Sequence, residues 1–550
     1  MPTRSLQSTN LLQPASELNR LARVRQRKLL LWAFLIAIVA ALMFITAQGE
    51  ALFPLVVVGG VAMLIVGWCA PNSMALITLA SACLFELTIS LSFKWPRTDQ
   101  VPLFWNCNTI VQRYAGMTSF HAIPVSPYEI LMIVAFASFV LHVVMKHDGT
   151  TRVGGQFRFI AAFMVCVSIA FVNGVSSGGV FTTASFEVRS LAYFMFAYLM
   201  AMNTKLPAGK LVSSMLWVTA ICVALKAIQA TLRYYGELHG STIPEVGIGS
   251  HEESFFFNIF MIQYFVLWLA NLEPRLRTFM IVLMPLVLWM DLVNQRRAAT
   301  AALIIVMPAI MAMSYVAFAN RRKLITSVLI GMAVVSAVYF PVFWNKTGTL
   351  AQPARAVKSQ FTPDARDLSS NVYRDAEDAN IYATLQESPI IGYGYGKYFL
   401  TPVHMIDLSK IDPLIHVIPH NSILWIWMRT GTIGYFFFWL MCAAVVIAGG
   451  QTCRDRHCGP LDRVTGIYAT VVLMMLLIFG LLDMQLANIR DMLFTGLWIG
   501  ALAYVRHCAN VDTTPEPEPE PEAHPSKPAF SLEEWRRRSG KRASGKGVAV

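Results

Sequence analysis

The chain reads as an all-α polytopic integral membrane protein, with about 14 (range about 12–14) transmembrane helices and one large periplasmic loop. Three observations predict this class. Of 550 residues, 56% are hydrophobic and only 14% are charged, where a soluble protein carries nearer a quarter charged residues. Mean hydropathy is +0.53. The apolar residues fall in blocks of about 17–22, the length that crosses ~30 Å of hydrocarbon. The net charge of +12 does not point to nucleic acid, because the basic residues collect in the connections between blocks, where they set orientation.

Taken in order, the candidate spans are 29–46, 51–68, 73–92, 127–145, 157–173, 186–202, 210–231, 253–271, 277–293, 298–319, 324–344, 420–448, 464–483 and 487–505. The first follows a basic flank and leads straight into another span, the pattern of an uncleaved signal-anchor rather than a removed leader. Arg20, Arg23, Arg25, Arg27 and Lys28 make residues 1–28 a cytoplasmic tail. Alternation then puts Lys146, Arg152 and Arg158, Lys205 and Lys210, Arg321, Arg322 and Lys323, and Arg454, Arg456 and Arg463 on the same side. Outer loops at 47–50 and 174–185 carry no Lys or Arg. Both termini are therefore expected in the cytoplasm.

Two outer loops are long. Residues 93–126 hold Lys94, Arg97, Arg113, His121 and several prolines and are expected to form an irregular cap. Residues 345–419 form the large periplasmic loop, with Asp375 to Gln386 as its expected helix; spans 420–505 follow it. The tail 506–550 holds a Pro-Glu repeat, which is semi-extended and buries no core. It closes on a basic run around Arg536 and Lys541 that suits solvent or anionic lipid, with a regulatory partner as the alternative. Nine cysteines are scattered, and only Cys107 falls in an outer loop, which leaves no external disulfide framework. Cys453, His457 and Cys458 share one inner loop but lack a full ligand set, so inert thiols are expected and no metal or cofactor is assigned.

Charges that break the orientation rule are the informative ones. Arg296 and Arg297 sit in a very short outer connection, where the insertion bias opposes them. Arg189 lies near the outer end of the sixth span beside Glu187, Lys226 in the outer half of the seventh, Arg374 in the large loop and Arg490 at the outer start of the last span. Charges within a bilayer are costly and usually face a polar cavity. One reading is structural: ion pairs with Glu187 or Asp291, or side chains reaching the headgroups. The other is a positive pocket for a phosphate-bearing lipid, since arginine grips phosphate oxygens bidentately and stays charged. No acidic pair or histidine cluster suited to a metal appears on the outer face, so arginines alone would neutralise the phosphate.

The stretch from Arg374 to Gly434 carries the densest pattern. An acidic-to-apolar helix leads to Pro389 and to Gly392, Gly394 and Gly396; His420 and Asn421 then open a long apolar helix holding Gly431 and Gly434. His420-Asn421-Ser422-x-Leu424 with those two glycines resembles the signature of the bacterial O-antigen ligase and O-antigen polymerase superfamily. So do Arg297-Ala298 opening a span, Arg374, and Pro389-x-x-Gly392-x-Gly394 before the histidine; Arg189 matches an arginine placed early in an upstream span. The detailed resemblance covers roughly residues 290–440. Arg429 departs from it, standing where the family more often has glutamate, and Gln295-Arg296 replaces a serine before the arginine.

The resemblance implies metal-independent glycosyl transfer at the periplasmic face of a bacterial inner membrane. The donor would be a glycan on undecaprenyl diphosphate. The acceptor would be a glycan hydroxyl on another repeat unit (polymerase), lipid A core (ligase) or a protein hydroxyl. Fourteen spans exceed the twelve typical of ligases, which favours a polymerase. The residues fit that chemistry: arginines stabilise charge on the leaving diphosphate, and a histidine takes the acceptor proton. This gives His420 as the catalytic base, with Arg189, Arg296, Arg297, Arg374 and Asn421 binding substrate. The structural alternative for His420 is a helix N-cap, and for the three loop glycines a tight turn and close approach. A flippase is the rival from another class, but it calls for charges in both halves of the bilayer and repeat-related broken helices.

Overall fold

The structure, a computed structural model, describes residues 52–85, 127–145, 152–242, 248–249, 251–359, 361–408 and 414–512, with most of 24–38. The expected outer cap at 93–126, the loop at 47–50 and the tail from 513 on lie outside the described residues. Among the described residues the regular structure is helical, without a strand. Residues from His507 on form a second unit, of which only the helical run to Asp512 is described.

In chain order the helices are α1 Leu52–Cys69, α2 Pro71–Leu84, α3 Pro127–Met145, α4 Phe157–Ser176, α5 Phe181–Met202, α6 Ala208–Leu232, α7 His251–Ala270, α8 Pro274–Asn294, α9 Arg297–Ala317 and α10 Arg322–Phe343. A single π-helical turn, Arg233–Glu237, extends α6. Then come α11 Gln352–Lys358, α12 Ala365–Glu387, α13 Ser422–Arg454, α14 Pro460–Gly480 and α15 Ile489–Asp512. Proline stands at the start of α2, α8 and α14, where its missing N–H costs nothing and its fixed φ suits the first turn. Among the described residues eight helices (α4, α6, α7, α8, α9, α10, α13 and α14) are long and apolar enough to cross a membrane, which marks a multi-pass membrane protein. Helices α1, α2, α3, α5 and α15 fall on five further predicted spans, although α2 stops at Leu84, where Phe85 turns to extended backbone.

Expectation and structure differ most in α13 and α12. Helix α13 is broken: Gly431 has φ 66° and ψ −175°, which splits the expected continuous helix in two. The segment 389–394 fills the break. Tyr393 and Gly394 donate their N–H groups to the freed carbonyls of Met428 (2.8 Å) and Arg429 (3.1 Å), and Thr432 N–H reaches Pro389 O (2.9 Å). Backbone groups released inside an apolar protein must find such partners. The approach is close enough to require glycine: a Cβ on Gly392 would lie 2.3 Å from Arg429 O, and one on Gly394 2.5 Å from Gly174 Cα. All three loop glycines have positive φ (91°, 83° and 86°), so the turn-and-approach reading holds. Helix α12 begins ten residues before the expected Asp375.

A buried ion pair locks this junction. Arg429 and Glu187 are both fully buried, with Nε 2.7 Å from Glu187 Oε1. The guanidinium also donates to the carbonyls of Gly394 (2.9 Å), Lys397 (2.8 Å) and Val417 (2.8 Å). Glu187 accepts Gly396 N–H at 2.6 Å and Trp425 Nε1–H at 3.0 Å. The charge that departs from the family pattern is thus structural: it ties α5, the glycine loop and α13 together and grips the chain at Val417, three residues before His420.

Candidate functional site

The described residues enclose a cavity of about 720 Å³ between the start of α9, the first half of α12, the start of α13 and the turn after α14. Arg296, Arg297, Arg374, His420 and Asn421 all line it, so five of the six residues picked from the sequence converge on one space. Local geometry explains the arginine pair. Helix α8 is capped by Gln295 in the left-handed region (φ 58°), which reverses the chain within one residue and starts α9 at Arg297. Arg296 Nη2 donates to Gly249 O at 3.3 Å. From the opposite side, Arg374 reaches the cavity from α12, and its Nε is buried without a hydrogen-bond partner among the described atoms. Such a donor in a cavity wall calls for a partner that is not protein.

Arg189 is the exception. It is not among the cavity-lining residues; its Nη1 pairs with Glu129 at 2.8 Å, and its guanidinium covers the Phe186 ring at 3.4 Å. The structural reading also fits Lys226, 3.6 Å from Glu253, and Arg490, 2.7 Å from the same carboxylate. These partners lie 27 to 237 residues away in sequence, beyond what local pattern reveals.

His420 is held by a residue that sequence reasoning missed. The carboxylate of Glu377, fully buried in α12, accepts the His420 backbone N–H (2.9 Å) and faces its Nδ1 (3.1 Å). A carboxylate can only accept, so Nδ1 carries the proton and Nε2 is left as the basic nitrogen. Burial disfavours the imidazolium, but the hydrogen bond and charge of Glu377, helped by Asp483 against Arg374, outweigh it and raise the His420 pKa above its ordinary value. Helix capping is done by Asn421 instead, whose Oδ1 accepts Leu424 N–H at 3.1 Å. The N-cap alternative for His420 is therefore replaced. Asn421 Nδ2 also reaches Asp378 Oδ2 (3.4 Å). Burial raises the Asp378 pKa against that bond, and the charges of Glu377 and Asp375 add to the rise.

Further lining residues come from distant parts of the chain: Arg355 on α11, Tyr373 on α12, His251 at the start of α7 and Asp483 after α14. The Tyr373 ring meets His420 edge-on, centroids 5.9 Å apart. Asp483 bonds His251 Nδ1, and its backbone carbonyl accepts from Ser422 Oγ at 2.6 Å. Burial alone would raise the Asp483 carboxyl; the charge and hydrogen bond of His251, with His420 and the Met484 N–H, drive it well below the ordinary carboxylate range. A single sign is legible in sequence for these groups, the acidic run of α12, and it reads equally as a solvated face. Cys453, in the last turn of α13, and Cys458, in the turn after it, are buried free thiols.

A cavity that gathers Arg296, Arg297 and Arg374 about a carboxylate-held imidazole suits transfer chemistry on an anionic leaving group. No curated protein matches the chain. Residues 279–439 match the model of a family described as O-Antigen ligase, a range that runs from α8 through the arginine turn and α12 to the second half of α13. That match supports membership of the chain in the O-antigen ligase/polymerase superfamily.

Proposed function

We propose that the chain transfers a glycan from undecaprenyl diphosphate to a sugar hydroxyl at the periplasmic face of a bacterial inner membrane. The observation that carries this reading is the convergence of Arg296, Arg297, Arg374 and the Glu377-held His420 on one cavity. In this account the apolar stretches outside the eight long helices bring the crossings to fourteen, with both termini cytoplasmic and 345–419 outside.

The acceptor hydroxyl binds near Asn421 and gives its proton to His420 Nε2 as its oxygen attacks the anomeric carbon. Glu377 keeps the proton on Nδ1 and stabilises the imidazolium that forms. The sugar–phosphate bond breaks, its electron pair leaves on the diphosphate, and the arginines stabilise that charge where water is scarce. One displacement inverts the anomeric centre. Arg189 has no part in binding here: it serves the fold through Glu129.

Polymerisation of lipid-linked repeats is the favoured reading, on the number of predicted spans. Ligation to lipid A core is the second, favoured by the description of the matched family. Glycan ladders from a deletion strain separate them. Single repeats retained on lipid A core with long chains lost mean a polymerase; polymer left on the carrier lipid means a ligase. An unchanged surface glycan contradicts both.

A further inference from the structure

The cavity contains two imidazoles, and only His420 has a role in the reaction above. His251 opens α7 and lines the same space. It is held as His420 is, through Nδ1 to a buried carboxylate, here Asp483. The segment before it is pinned to the arginine turn: Asn294 Oδ1 accepts the N–H groups of Ile248 (3.2 Å) and Gly249 (3.1 Å), and Arg296 Nη2 donates to Gly249 O (3.3 Å). The two histidines are anchored by different elements, although the Asp483 charge acts on both. His420 stands with α12, beside Glu377, Asp378 and Asn421. His251 stands with α8 and α9, beside Arg296 and Arg297.

We propose that His251 is a second ligand of the donor diphosphate, its Nε2–H donating a hydrogen bond to a phosphate oxygen alongside Arg296 and Arg297. This rests on the reading of the cavity as a lipid-diphosphate site and adds the start of α7 to the groups that receive the leaving group. No proton is transferred in this contact. With Nδ1–H given to Asp483, neutral His251 would present a lone pair at Nε2 and repel phosphate oxygens; only the imidazolium presents a donor there. An isolated Asp483 anion in a phosphate site would weaken binding, and pairing with His251 removes that penalty. The other charged or titratable groups that line the cavity with His251 and Asp483 are Arg296 and Arg297 at the start of α9, Arg355 on α11, Arg374, Asp375 and Asp378 on α12, and His420. Its neighbour Glu252 is engaged by Asn488 and lies 4.0 Å from Arg490.

The test uses the full chain in detergent micelles and farnesyl diphosphate as a soluble prenyl diphosphate probe. Affinity is measured calorimetrically at about pH 5.5 and about pH 8.5. The probe's own ionisation is common to every protein and drops out of the comparison. His251→Gln should bind about tenfold or more weakly at the acid pH, the size of one charge-assisted hydrogen bond, and little differently at the alkaline one. His251→Arg, with a permanent cation, should keep the acid-side affinity at both. Arg297→Ala should lose affinity at both. Wild-type affinity and pH dependence in His251→Gln, with Arg297→Ala impaired, would overturn the role of His251 and leave the diphosphate site standing. Absence of binding by the wild type, or indifference to Arg297→Ala, would overturn the site and this inference with it.

Discussion

Glu377 holds His420 at two points, through the backbone N–H at 2.9 Å and through Nδ1 at 3.1 Å. One buried carboxylate thus fixes the position, tautomer and charge of the imidazole. Its net effect is to raise the His420 pKa above the ordinary value. A base must be deprotonated to act, so the rate should fall as pH drops through a value above ~6.5. In Glu377→Gln the negative charge is gone and only a neutral amide acceptor remains, while burial, Asp483 and Arg374 act as before. The acid limb should then move to lower pH and the maximal rate should drop on the order of 10²-fold. A pH–rate profile that keeps its acid limb in Glu377→Gln would contradict the pairing.

Arg297 opens α9 at the cavity wall. Arg297→Lys keeps the charge but loses the planar fork, so donor affinity should fall about tenfold, and Arg297→Ala should fall further. Transfer kinetics with varied lipid-linked donor read this as a rise in KM. A neutral Arg297→Ala would remove that residue from the site.

Arg429 and Glu187 are a buried pair inside the glycine-loop junction. Arg429→Met leaves Glu187 uncompensated and should cost about 3–5 kcal/mol. Adding Glu187→Gln restores neutrality and keeps an acceptor for Gly396 N–H, so the double variant should melt above the Arg429 single variant. Thermal unfolding in detergent measures the order, and a double variant melting below both singles would refute the account.

Much of the site was legible because its residues violate local rules. Two adjacent arginines in a short outer turn, and a His-Asn pair opening an apolar helix, are out of place unless something holds them, and all four line the cavity. The glycines were legible because alternate Gly residues beside a proline announce an unusual backbone. What stayed hidden depends on long-range pairing. Glu377 precedes His420 by 43 residues, inside an acidic run that reads as a solvated face. His251 and Asp483 are 232 residues apart. Arg189 carried the right charge near the outer end of its span, but Glu129, 60 residues earlier, takes it. The break in α13 was hidden for a related reason, because one glycine in an apolar helix reads as packing until its partner strand of backbone, 389–394, is known.

Ser369 lines the cavity from α12, which makes it a reporter of the side on which the site opens. In a background free of other cysteines, Ser369→Cys should react with a membrane-impermeant maleimide in intact cells whose outer membrane has been permeabilised. Labelling only after lysis would put the cavity in the wrong compartment for a lipid-linked periplasmic donor.

The central claim is that His420 is the base, and single-turnover transfer by His420→Asn tests it most directly. Asparagine keeps a polar, hydrogen-bonding side chain near the start of α13 but takes up no proton, and Asn421 already supplies the cap. The account predicts a loss of ~10²–10⁴-fold in rate, no remaining acid limb from His420, and undiminished binding of undecaprenyl diphosphate, because the diphosphate is assigned to the arginines. A His420→Asn variant that transfers glycan at the wild-type rate would contradict it.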